Sequence, residues 1–141
     1  MNRTDEVMKR FKQWERFIEN GLKTPPEIHM DKTRSDCHAW SSHPLFHLMA
    51  SIAGVRPARP GFREVQIKPQ PAGLSRIDTE VPHPKGMIEL QLNVKAGEQM
   101  IRLPEGLSGS FTWNGKDYTL RPGKNRISVP AEINGTSVGA T

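Results

Sequence analysis

The side chains best equipped for chemistry crowd into one stretch: four histidines, one cysteine and one tryptophan lie between His29 and His47. Within it, the run Arg34-Ser35-Asp36-Cys37-His38-Ala39-Trp40-Ser41-Ser42-His43-Pro44 joins acid, imidazole and indole. His43 and His47 stand four apart, on one face of any helix that contains them, which is a ligand-competent spacing for zinc. No acidic or sulfur ligand follows at a convincing spacing, and packing or capping by the two rings accounts for the same pattern, so no metal is assigned. A second chemistry is sugar recognition, with Trp40 offering an apolar face to the carbon-hydrogen side of a ring while His38 and Asp36 hydrogen-bond its hydroxyls. Against it stands a structural reading in which Trp40 anchors a core and Asp36 caps a turn. Glu27, placed after Pro25-Pro26, reads from the residues alone as a solvated loop carboxylate. Phosphate-loop, dinucleotide, nucleophile-elbow and paired-cysteine zinc motifs are missing from the sequence, and no cofactor is expected.

These residues need elements to hold them. From Thr4 to Asn20 the apolar residues Val7, Phe11, Trp14 and Ile18 recur at spacings of four, three and four, with Met8 and Phe17 widening the stripe, which predicts a helix. Thr4 suits its N-cap, Asp5 and Glu6 its first turn, and Gly21 its C-terminal end. Leu22 to Trp40, with Pro25-Pro26, predicts a long irregular loop, and long loops in compact domains are commonly functional. Ser41 or Ser42 suits the cap of a second helix with Pro44 in its first turn, carrying Leu45, Leu48, Met49 and Ile52 and ending at Gly54. Val55 to Gly61 reads as a punctuated linker, with a boundary near Ala58. Beyond it the hydrophobic period falls to two: Ile88, Leu90, Leu92 and Val94 alternate with Glu89, Gln91 and Asn93, a strand with one wet face. Further strands are expected at 63–68, 75–81, 99–103, 110–113, 117–120 and 126–129, and Asn114-Gly115 marks a type I′ hairpin turn. The fold class is α+β, two N-terminal helices followed by a mainly antiparallel β-sandwich, with a fraying tail at 134–141.

Composition narrows the partners. The twelve prolines and twelve glycines suit many turns joining short strands. The net charge of +5 is spread along the chain with acids interleaved, so a solvated surface is expected and no nucleic-acid partner. The single cysteine, Cys37, forms no internal disulfide and leaves the compartment open. No apolar run is long enough to span a bilayer, so no membrane partner is expected, and a leader sequence, if the chain is a piece of a longer protein, would lie upstream.

Gly21-Leu22-Lys23-Thr24-Pro25-Pro26-Glu27, followed by Thr33 to Pro44, resembles the end of the catalytic domain in the alpha-L-rhamnosidases of glycoside hydrolase family 78. Blocks at 48–57, 60–62, 67–71 and 81–86 resemble the same family in the same order, although Lys23 and Pro25-Pro26 depart from its usual pattern. The resemblance implies that residues 1–57 are the last helices and active-site loop of a six-hairpin helical toroid, and that residues 58–141 are the β-sandwich after it. It implies an inverting glycosidase, which pairs a carboxylic acid with a carboxylate base. In that scheme Glu27 corresponds to the general base, His38 to the histidine on bound rhamnose, and Trp40 to the surrounding pocket, with Asp36 a substrate-binding candidate from the residue-based reading. The general acid would lie upstream of Met1, so the chain is expected to be a fragment, inactive alone, whose partner in the intact enzyme is a rhamnose-containing carbohydrate. A different class of function is an accessory sandwich with a structural or carbohydrate-binding role, in which Trp113 and Tyr118 beside the Asn114-Gly115 turn form an aromatic platform or else pack in the core. The stripe of Phe11, Trp14 and Ile18 is expected either to fold back on the sandwich or to drive self-association.

Overall fold

A computed structural model of the chain describes residues 4–28, 34–95 and 97–129. Helix α1 spans Thr4–Glu19. The side chains of Thr4 and Asp5, the expected cap and first-turn acid, lie outside the described part, as do His29 and the tail. At its C-terminal end the Gly21 amide donates to the Ile18 carbonyl and the Leu22 amide to that of Phe17, both at 2.9 Å, the paired bonds that close a helix whose next residue turns left-handed. The α1 stripe is half-buried, with Met8 and Phe11 packed against the sandwich core. This is one of the two arrangements expected for that stripe. Ile18 departs from the expectation and is 74% exposed.

The second helix is not continuous. A 3-10 turn at Ala39–Ser42 leads into α2, His43–His47, and then a π-helical turn at Leu48–Ile52. Neither serine caps it: the Ser41 hydroxyl donates to the carbonyls of Pro26 and His38, and the Ser42 hydroxyl to that of Ala39. The expected apolar stripe is corrected with it. Leu45 and Leu48 of that stripe are exposed, as is Phe46, whereas Ile52 is buried as expected and Ala50 and Ala53 are buried beside it, in and after the last, widened turn.

Two four-stranded sheets follow. The first has the order β1-β2-β6-β7 and the second β3-β4-β5-β8, with β1 at Val55–Pro57, β2 at Glu64–Ile67, β3 at Arg76–His83 and β4 at Gly86–Asn93. The remaining strands are β5 at Glu98–Leu103, β6 at Ser108–Trp113, β7 at Lys116–Leu120 and β8 at Gly123–Ser128. All pairings are antiparallel except β2 with β6. Part of the expected linker is therefore an edge strand, ending in Pro57 at a position where no ladder donor is needed. The alternation in β4 places Ile88, Leu90 and Leu92 in the core beside Ile67, Ile101, Leu103, Phe111 and Leu120, each worth about 1.5–3 kcal/mol when fully buried. Asn114 and Gly115 take φ of 47° and 77°, as a type I′ turn requires.

Gly54 joins the helical half to the sheets. Its φ is +74°, and a Cβ there would lie 2.1 Å from the Lys68 carbonyl oxygen, so only glycine lets the two backbones approach. On either side, Lys68 N donates to Gly54 O at 2.9 Å and Gln70 N to Ile52 O at 3.0 Å.

Candidate functional site

The loop after α1 folds back on itself. Glu27 N donates to Ser35 O at 2.9 Å, His38 N to Pro25 O at 2.8 Å, and the Thr24 hydroxyl to Asp36 O, so residues 24–27 run beside residues 35–38. Ser41 ties this pair of segments to the 3-10 turn, its hydroxyl 2.6 Å from Pro26 O and 2.9 Å from His38 O. Trp14 of α1 donates its indole N–H to Ser41 O at 2.9 Å. A proline-rich loop is thereby held against two helices by side-chain donors to carbonyls that no regular element satisfies.

Between α1, the loop and α2 lies a groove of about 390 Å³, whose lining includes Phe11, Trp14, Phe17, Glu27, Trp40 and His43. Of the sequence-expected site residues, Glu27 and Trp40 share this groove. Trp40 is 64% exposed, so it anchors no core. The His38 ring meets the Trp40 ring edge to face, centroids 5.8 Å apart. Asp36 is exposed and is not among the lining residues; its main chain contributes through the carbonyl that accepts from Thr24.

Arg34 grips Glu27 through both oxygens, Nε to Oε2 at 2.9 Å and Nη2 to Oε1. The hydrogen bond from Arg34 holds the Glu27 carboxyl below the usual carboxylate range, reinforced by the guanidinium charge and, less strongly, by His38; partial desolvation works the other way. The Arg34 guanidinium is raised in turn, chiefly by the same hydrogen bond. Glu27 is thus an anion at neutral pH, able to accept a proton and not to give one.

His43 and His47 face each other with ring centroids 5.8 Å apart. His43 also meets Trp14 edge to face at 5.2 Å, and His47 Nδ1 lies 3.3 Å from the Ser51 hydroxyl. Among the described residues no group of three or more metal-ligating side chains converges. The aromatic platform proposed for the sandwich does not form: Trp113 is 4% exposed and stacks on Phe111, while Tyr118 is half-buried beside the same ring. Alternate residues on β6 point into the core, and that buries the indole.

Sequence reasoning assigned no role to Arg34, and it read Ser41 only as a helix cap and Trp14 only as part of the apolar stripe of α1. For Arg34 a signal existed, an opposite charge seven residues beyond Glu27. Ser41 and Trp14 carried none, since their partners are main-chain carbonyls.

Among solved structures, the chain is similar to native alfa-L-rhamnosidase from Aspergillus terreus, with 17% identity and a TM-score of 0.66 over 82% of this chain and 15% of that one. It is also similar to the Streptomyces avermitilis alpha-L-rhamnosidase complexed with L-rhamnose, with 18% identity and a TM-score of 0.69 over 83% and 15%. A family 78 rhamnosidase of Bacillus sp. GL1 matches at 24% identity and a TM-score of 0.55 over 75% and 13%. At these identities the likeness is one of fold, and the chain spans about 15% of the length of the first two. No curated protein matches it. The family described as the bacterial alpha-L-rhamnosidase C-terminal domain matches residues 54–128, more than half of the sequence. The chain belongs to the bacterial alpha-L-rhamnosidase C-terminal domain family.

Proposed function

We propose that this chain is the C-terminal part of an inverting glycosidase that releases terminal alpha-L-rhamnose, and that it supplies the general base, Glu27, and one wall of the sugar pocket. The observation that carries this reading is the meeting of the Glu27 carboxylate and the exposed Trp40 in one groove. Inversion needs a carboxylate that takes a proton from water on one face of the sugar while a carboxylic acid protonates the leaving oxygen on the other. Glu27, kept anionic by Arg34, suits the first task and not the second. It is also the one acid among the described residues lining the groove, so the proton donor has to come from outside them. Trp40 stacks on the apolar side of the ring, and His38, set against Trp40, reaches a hydroxyl. Among the described residues, the segment up to Gly54 forms the site-bearing part, and the two sheets that begin with β1 at Val55 support it. The family and the L-rhamnose bound by the Streptomyces relative support this choice of substrate class.

The test is hydrolysis of an aryl alpha-L-rhamnoside by this chain and by the same chain extended with the reading frame preceding Met1. The extended polypeptide should release rhamnose with inversion at the anomeric carbon, read by NMR. Lacking the acid, worth about a hundredfold to ten-thousandfold, the 141-residue chain should be inactive. Retention of configuration, or no release by the extended polypeptide, refutes the assignment.

A further inference from the structure

The main-chain anchor of Glu27 does not by itself fix its side chain. Its amide is held by Ser35 O at 2.9 Å, yet three rotatable bonds separate that anchor from the carboxylate, and a base has to be aimed within a narrow cone to take a proton from a particular water. Arg34 provides the aim. Its guanidinium meets both carboxylate oxygens, and such a two-point fork fixes the plane of the carboxylate as well as its position. The two partners differ in burial: the Arg34 side chain is 85% exposed and that of Glu27 only 16%. The cation therefore covers the carboxylate from the solvent side.

We propose that Arg34 is a positioning residue that holds the Glu27 carboxylate in its working orientation in the groove, an inference that rests on Glu27 being the base. A carboxylate has about four lone-pair sites, and the fork uses two of them, which leaves acceptor capacity for water. The charge of Arg34 and its two-point geometry make separable contributions, because lysine preserves the first and not the second.

The experiment compares Glu27→Gln, Arg34→Met and Arg34→Lys in the extended polypeptide, reading kcat, KM and the acid limb of the pH profile. A carboxyl titration of Glu27 by NMR in the 141-residue chain accompanies it. Arg34→Met should lower kcat about a hundredfold, as for a displaced catalytic group, leave KM little changed, and move the acid limb to higher pH. Arg34→Lys should keep the limb near its original position while kcat stays reduced, a separation that a merely structural role does not produce. An inactive Glu27→Gln beside an Arg34→Met variant that matches the parent in both kcat and pH profile overturns the positioning role and leaves the base in place. An active Glu27→Gln overturns the base itself, and the positioning role with it. A Glu27 titration unmoved by Arg34→Met overturns the inference without reference to activity.

Discussion

Replacing Gly54 by alanine should unlatch the helical half from the sandwich, and the size of the effect follows from two separate costs. The first is conformational: Gly54 has φ +74°, and a side chain in the left-handed region costs about 1–2 kcal/mol. The second is steric, because the added carbon would lie 2.1 Å from the Lys68 carbonyl oxygen and 2.6 Å from the Pro69 nitrogen. Both are main-chain atoms, so the backbone must move, and overpacking of this kind costs about 1–3 kcal/mol. The sum is about 2–5 kcal/mol, a fall in Tm of roughly 4–20 °C for a chain of this size. Two other glycines separate the costs. Gly115 has φ +77° with nothing within 4 Å of a built Cβ, so Gly115→Ala should lose only the conformational part, about 1–2 kcal/mol. Gly109 has ordinary φ but a Cβ there would lie 2.0 Å from the Val65 carbonyl oxygen, so Gly109→Ala isolates the steric part, about 1–3 kcal/mol. Urea unfolding followed by far-UV circular dichroism measures all three. Should Gly54→Ala prove no more destabilising than Gly115→Ala, close approach to Lys68 contributes nothing and the reasoning is wrong.

Truncating the fully buried Phe111 to alanine should cost about 3–5 kcal/mol in the same urea measurement, since Trp113 and Tyr118 would lose their shared neighbour. Trp40→Ala should leave stability within about 0.5 kcal/mol of the parent, because the residue is 64% exposed, while calorimetry on the extended polypeptide should show weaker binding of rhamnose. Glu27 has its carboxyl lowered in the folded chain, so the pair stabilises the fold above the ordinary glutamate value of about 4.3 and this contribution is lost as pH falls through the lowered one. An acid-unfolding series should therefore show a shallower decline in that window for Arg34→Met than for the parent.

Much of the sandwich was legible from period alone. The alternation of Ile88, Leu90 and Leu92 with polar neighbours assigns one face of β4 to the core, since successive strand residues point to opposite sides, and Asn114-Gly115 names its own turn through the left-handed φ both residues tolerate. Helix α1 declares itself by spacing and by Gly21. The break in the second helix is different: Leu45, Leu48 and Ile52 have helical spacing, and only the demand of the sandwich surface turns the last residues into a π turn that buries Ala50 and Ile52. Nor does local sequence reveal that Val55–Pro57 is an edge strand, because its partner lies in another segment.

For the site, residue types alone restrict the choice to the segment around His38 and Trp40, set metal ligation aside, and leave sugar recognition open against a structural role. Tertiary structure decides the exposure of Trp40, the burial of Trp113 and the pairing of Arg34 with Glu27. The physical reason is one of range. Periodicity, turn preference and charge are properties of neighbours along the chain, whereas accessibility and a carboxylate's ionisation depend on what distant segments bring within a few ångströms of it.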